Sequence, residues 1–532
     1  MDWTLISFLC NHYYLFLKLL FILYALSILF VFEDVAALCR CVSKKTWISL
    51  SAIVLLGFIL RLWLVPHTHH VFYDEYIHVN IAQNFLHMGK LSLTLQGAPG
   101  AQEAYTLPMW PPAYHYLLSV VFSVFGATEA VAFHFSALIG ALSVAVIFLF
   151  LFLLWRDELT ALSGAFLFNL IPAHLKFSGG SETGVFSLFL ILWALSAALI
   201  YARRPGAKSA LFLVISLAGA LYARPENGLL LLLIPLIAFL IRDKSNLPFF
   251  IFWIMPLAFF YFVHLYVGLF VFPPPGWNES WPVRLMRMGL HMVHNAQYWT
   301  SVFHPVSMTL LALGGLVLSF KKEAKVAAFF LIWFLFFYFC YSLYHIGDLL
   351  ILPDSSRYAL NLYVSVVVFS SVALAALVRR FRVAGRWTAV FLLCCVFFDA
   401  FSPLRHELKR TLDRDHQREY RFLLASRDLL PDDVYILAYH PAIVVSGLGK
   451  KSIGPLPFWK LFVERSALPE RLVFFKEAGW SKEQEETRKV EERLLASYDF
   501  KTLSRMTHPD GKECAFFLLT RKNLPIPQEV SA

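Results

Sequence analysis

The chain is 532 residues long, 58% hydrophobic and only 15% charged, with 52 phenylalanines and a mean hydropathy of +0.62. That composition excludes an ordinary soluble domain and implies a membrane protein. The formal net charge of +10 comes from loops between apolar runs and from the tail, so it favours anionic lipid headgroups over nucleic acid as partners.

Apolar runs of the ~20 residues needed to span a ~30 Å hydrocarbon core as helix recur along the chain, among them LFLKLLFILYALSILFVF, SALIGALSVAVIFLFLFLLW, VFSLFLILWALSAALIY and AAFFLIWFLFFYFCYSLY. Lipid satisfies no backbone polar group, so these runs predict a polytopic helical bundle. The first run is long and no small-residue cleavage site follows it, which reads as a retained anchor. Lys and Arg crowd into RCVSKK, the segment around Arg156, RRPGAK, RDK, KKEAK and RRFRVAGR, and the intervening loops hold few. The positive-inside rule then places the first set in the cytoplasm and the others outside. The alternation closes if residues 112–126 (PAYHYLLSVVFSVFG) make no net crossing and lie as a re-entrant or interfacial helix. The expected fold is an all-α polytopic membrane bundle of about twelve transmembrane helices plus that extra helix, with the loop 67–111 outside.

This first outward loop opens HTHHVFYDEYIHVNIAQNFLHMGK. Ile77, Ile81 and Phe85 recur every four residues, so a helix is expected to start at Asp74 with its side chain as the cap. Asp74, Glu75 and His78 then share its first turn, where the helix dipole favours ionised carboxylates. Such a carboxylate can bind a divalent cation, with Asp74 and His78 as ligands, or take a proton from an incoming hydroxyl or amine. The competing reading is a solvated helix cap. His67, His69, His70 and His78 have the donor chemistry for zinc, although interfacial histidines with no ligand role are commoner. His115 is expected to pack among aromatics, and Trp110, Trp277 and Trp281 to form an interfacial belt.

Further along, GGSETG brings an outward acid, Glu182, and three arginines fall at outer helix ends: Arg61, Arg224 in YARPENG and Arg357 in LPDSSRYAL. A guanidinium at that depth matches a lipid phosphate bidentately, or else snorkels to headgroups. Past residue 403 the chain turns charged and mixed. DVYILAY, AIVVSG, RLVFF and CAFFLLT read as strands, SKEQEETRKVEERLLASY as a helix and HPDGKE as a turn. Residues 403–532 are expected to form a small soluble α/β domain on the outer face, for docking or acceptor recognition, following a membrane domain 1–402. Only Cys514 lies in that tail, so neither an outward disulfide nor a metal spacing suggests itself there.

The ordered set RLWLVPHTHHVFYDEYIHVNIAQNFLHMGK, MWPPAYHYLLSVVFSVFG and HLKFSGGSETGVFSLFLILWALS resembles the membrane glycosyltransferases of the GT-C type. It is most similar to the group containing protein O-mannosyltransferases and the lipid A aminoarabinose transferase. The resemblance covers roughly residues 46–245. It implies sugar transfer at the outer face of a membrane, a bacterial inner membrane, from a polyisoprenyl-phosphate sugar to an acceptor that is a lipid, a polysaccharide or a protein. It implies Asp74 as the catalytic acid residue, Glu75 as its neighbour and Glu182 as a second acid. Arg357, Arg224 and Arg61 are the candidates for the donor phosphate, and a divalent metal is the alternative source of positive charge. Trp110 stands where the aminoarabinose enzymes have a basic residue, a departure that bears on lipid A specificity. The rival readings are a flippase for lipid-linked saccharides and an oligosaccharide ligase or polymerase. A flippase calls for mid-span charges or repeated halves, and the ionisable residues crowd the outer ends instead.

Overall fold

The structure, a computed structural model, describes residues 3–71, 74–90, 92–94, 96–97, 112–231, 233, 279–344, 346–384, 386–463, 468–477 and 485–522. Among the described residues, five helical stretches are long and apolar enough to cross a membrane: Lys44–Leu64, Glu129–Trp155, Thr183–Arg203, Ala324–Leu343 and Pro353–Phe381. Burial sorts them. Thr183–Arg203 and Pro353–Phe381 are 83% buried within the protein and form its centre, whereas Lys44–Leu64 is 22% buried and presents most of its surface outward, as a lipid-facing helix does. The chain is an integral membrane protein. The expectation of about twelve crossings rests partly on residues outside the described ones, and Trp110 and Trp277 also lie there.

Ala113–Phe125 is a helix of 13 residues, too short for the ~20 that a crossing takes. Gly126, at φ +93°, ends it, and Thr128 opens the next helix by accepting a hydrogen bond from Val131 N at 3.4 Å. The left-handed φ at Gly126 is open to glycine at no steric cost.

Among the described residues, five strands of the tail and one from the first outward loop form a six-stranded sheet in the order β1-β3-β2-β4-β6-β5. Its strands are β1 (Gln96–Gly97), β2 (Ile436–Leu437), β3 (Ser452–Ile453), β4 (Arg471–Lys476), β5 (Tyr498–Thr507) and β6 (Glu513–Arg521). β2 runs parallel to β3 and β4, and the other pairs are antiparallel. The period of two along β4 divides its side chains. Val473 and Phe475 join the large core shared with the membrane helices, while Leu472 and Phe474 pack with Leu437, Val490 and Leu494 in a second core. Phe475 stacks on Phe516 of β6 at 4.3 Å. β1 comes from the loop after Asp74–Met88 and pairs with β3 at Gln96↔Ile453.

One tail expectation is corrected. AIVVSG is a helix, Pro441–Leu448, with proline in its first turn and Gly449 left-handed at its end. A short run buried on most sides has no period to distinguish strand from helix. The strand Tyr498–Thr507, flanking the expected HPDGKE turn, had no reading at all, because YDFKTLSRMT is mostly polar. The expected boundary at 402/403 falls inside the helix Arg386–Leu412, which carries Pro403.

Candidate active site

The helix Asp74–Met88 begins where its apolar period predicted. Its second residue, Glu75, is fully buried and gives up every acceptor position to the protein. Oε1 accepts His70 N and Val71 N, both at 2.8 Å, and Oε2 accepts Ser181 N at 2.7 Å. His69 Nδ1 lies 3.4 Å from Oε2, and the other ring nitrogen lies 3.1 Å from Glu129 Oε1. Burial opposes the charged carboxylate, but His69 and these amides outweigh it and bring the Glu75 pKa down to about 2. For His69 burial disfavours the charged ring, and the Glu129 and Glu75 carboxylates overturn that, lifting its pKa to about 9. Glu75 is therefore a buried clamp between two loops. Gly180 makes room for it: a Cβ there would stand 2.5 Å from Oε2.

Asp74 faces the other way. Its carboxylate, 30% exposed, accepts Arg357 Nη1 at 2.8 Å, rather than capping its helix. The same Nη1 lies 3.7 Å from Glu182 Oε1, which in turn accepts Arg224 Nη1 at 2.9 Å. Arg224 Nε completes the chain to Glu226 Oε1 at 2.6 Å. The Tyr358 ring lies 5.3 Å from both guanidinium carbons, and its hydroxyl accepts from Arg357 Nη2 at 3.4 Å. Glu182 caps the helix Thr183–Arg203 by accepting Gly184 N; a Cβ on Gly184 would meet that carboxylate at 2.5 Å and Arg224 at 2.9 Å. Burial pushes the Glu182 pKa up against the pull of Arg224 and Arg357. Sequence positions 74, 182, 224 and 357 thus meet in one cluster.

The turn that carries Arg357 is fixed from behind. Lys176 Nζ donates to Pro353 O at 2.8 Å and pairs with the fully buried Glu407 at 2.9 Å, while Arg414 binds both oxygens of Asp354 at 2.6 Å.

Arg61 is elsewhere. It is fully buried and bonded to Gly57 O, Asn169 Oδ1, Ser178 Oγ and His174 Nδ1 at 2.7 to 3.3 Å, tying three helices together. The histidines also disperse. His67 stacks on His134, His70 Nε2 lies 3.2 Å from Pro66 O, and His78 Nδ1 lies 2.9 Å from His115 Nε2. Burial brings the His78 pKa down to about 3. Asp74 and His78 belong to no converging trio of metal-ligating side chains among the described residues, and Arg357 occupies the side of Asp74 that meets Glu182. Glu226 and the Glu75–His69–Glu129 relay had no separate signal in the sequence, and Tyr358 entered only as the residue after Arg357 in LPDSSRYAL.

No protein-family model matches the sequence, and neither does any curated protein. Solved structures do. ArnT from Cupriavidus metallidurans, bound to undecaprenyl phosphate, matches with a TM-score of 0.56 at 12% identity over 90% of this chain and 98% of its own. The oligosaccharyltransferase AglB from Archaeoglobus fulgidus, in complex with an inhibitory peptide and a dolichol-phosphate, matches with a TM-score of 0.52 at 14% identity, covering 91% of this chain and 75% of its own. Both are GT-C membrane glycosyltransferases. The chain has the GT-C fold. Identity this low carries the fold and no more, so the reading of the site rests on its own residues.

Proposed function

We propose that this chain is an integral-membrane glycosyltransferase that moves a sugar from a polyisoprenyl-phosphate donor to an acceptor at the outer face of the membrane. The observation that carries the reading is the Arg357 guanidinium held between Asp74 and Glu182 with Arg224 beside it. Two buried guanidiniums converging beside a partly exposed carboxylate form a site for a phosphate next to a base.

In a single displacement the acceptor oxygen or nitrogen attacks the anomeric carbon and Asp74 takes its proton. The bond from that carbon to the phosphate oxygen breaks, and its electron pair leaves with the lipid phosphate. Arg357 and Arg224 stabilise the negative charge that grows there. In the resting protein Asp74 occupies the Arg357 fork, so an arriving phosphate takes the guanidinium from Asp74 and frees that carboxylate for the acceptor. Arg224 keeps Glu182 and Glu226 as anchors and remains in place through the exchange. No step is routed through a metal: among the described residues Asp74 and His78 belong to no group of three or more metal-ligating side chains. The donor class and the outer-face direction are supported by the resemblance of the first outward loop and by the distribution of Lys and Arg.

The test compares envelope glycans and lipid-linked sugars by mass spectrometry with and without this gene. One glycan residue should vanish and one lipid-phosphate sugar should accumulate, with wild-type protein restoring both and Asp74→Asn restoring neither. Unchanged glycans and unchanged lipid-linked sugars would overturn the reading.

A further inference from the structure

Away from the arginine cluster, three side chains of the tail point at one another. Cys514 Sγ on β6 lies 3.2 Å from Glu419 Oε1 on the helix Asp415–Ala425 and 3.3 Å from His508 Nε2 at the end of the β5–β6 hairpin; His508 Nε2 lies 3.8 Å from the same Glu419 oxygen. Cys514 and His508 are buried and the Glu419 side chain is 13% exposed. We propose that Glu419, His508 and Cys514 bind a zinc ion.

The distances fit. A tetrahedral zinc with bonds of about 2.0 to 2.3 Å sets its ligand atoms about 3.3 to 3.7 Å apart, and the three separations observed bracket that range. The chemistry fits as well. A thiolate and an imidazole select a borderline transition ion over calcium or magnesium, and zinc takes thiolate, imidazole and carboxylate together. Three protein ligands leave the fourth position to water.

The site has a structural task in reach. The helix Asp415–Ala425 also docks on the first outward loop: Gln417 donates to His69 O and accepts from Thr68 Oγ1 at 2.9 Å, and Tyr420 donates to Glu129. Zinc on Glu419 joins that helix to the hairpin, so the ion fastens the sheet to the element that touches the Glu75 clamp. No local spacing announces the site, because its ligands are separated by 89 and 6 positions and the tail has one cysteine.

The experiment uses the full chain in nanodiscs, freed of metal with a chelator and titrated with Zn²⁺ or Co²⁺. One equivalent of zinc per chain is expected, with proton release on binding. Cobalt should give a thiolate-to-metal charge-transfer band and the visible bands of a four-coordinate ion. Cys514→Ser should abolish the charge-transfer band. His508→Ala should weaken zinc binding by more than the roughly 10- to 100-fold that loss of an outer hydrogen-bond partner costs. Should Cys514→Ser misfold, Glu419→Gln, which keeps the thiolate, should instead weaken metal binding, and the wild-type cobalt spectrum stands without any variant. Folded wild-type protein with no cobalt–thiolate band at saturation, or an undiminished band in folded Cys514→Ser, would mean a hydrogen-bonded trio only and overturn the proposal.

Discussion

Asp74 and Arg357 neutralise each other at rest, so their substitutions should separate binding from turnover. Asp74→Asn keeps the size of the side chain and removes both the base and the anion that competes for the fork. Transfer should be lost while the protein stays folded, and the lipid phosphate should bind as well as before or more tightly. Weaker phosphate binding in a folded Asp74→Asn protein would rule out the exchange of partners at Arg357. Arg357→Ala should weaken donor use by about 1.5–3 kcal/mol, as for other hydrogen bonds to charged groups, with little change in acceptor affinity; Arg357→Lys should recover only part, because the fork is gone. Kinetics that are unaltered in Arg357→Ala and lost in Arg224→Ala would move the phosphate to Arg224. At this scale the sequence was informative about which acids and arginines lie at outer helix ends. It was silent on facing: Arg61 has the same depth signal as Arg357, yet its helix turns it toward Asn169 and His174. Glu75 looked like a catalytic neighbour of Asp74 because its partners are backbone amides of residues 70, 71 and 181, which no residue type announces.

The first turn of Asp74–Met88 and the GGSETG loop stand or fall together through Glu75. Glu75→Ala leaves three buried donors unsatisfied and should destabilise the protein by several kcal/mol, at about 1–3 kcal/mol for each orphaned group, as measured by thermal unfolding in detergent. Gly180→Ala drives a methyl group into the same carboxylate and should lower the melting temperature without touching Asp74. The pH dependence follows from His69. Its folded pKa of about 9 lies above the ordinary value near 6.5, so its contribution is complete below about pH 6.5 and fades as pH rises through about 9. A shift of that size corresponds to something on the order of 3 kcal/mol. Wild-type stability should therefore fall between about pH 6.5 and 9, and His69→Gln should be less stable at the low end with a flatter profile. An identical slope in the two proteins would remove His69 as the cause. Helix starts such as Asp74 were legible because a fourfold apolar repeat survives in the sequence; Pro441–Leu448 was not, since burial on most sides erases the period.

Across the whole molecule, the buried Lys176–Glu407 pair joins the GGSETG side of the bundle to the helix that leads into the tail. Removing one partner strands a charge, so Lys176→Met should cost about 3–5 kcal/mol, whereas Lys176→Met with Glu407→Leu should recover much of it. A double variant as unstable as the single would show that the link is more than charge compensation. The bundle and the mixed tail could be foreseen from composition, but their union could not: Arg414 reaching Asp354, Gln417 reaching His69 and β1 reaching β3 are long-range pairings with no local trace. The last of these bears on biosynthesis. Gln96 and Gly97 have no β-partner until Ser452 and Ile453 exist, roughly 350 residues later, or about 20 to 70 s at ordinary synthesis rates. The short strand after the helix Asp74–Met88 is thus left unpaired while the ribosome works through nearly all of the membrane domain, and a chain terminated before Ser452 cannot pair it. Completion of the polypeptide thereby becomes a condition for completing the sheet that ties this loop to the tail.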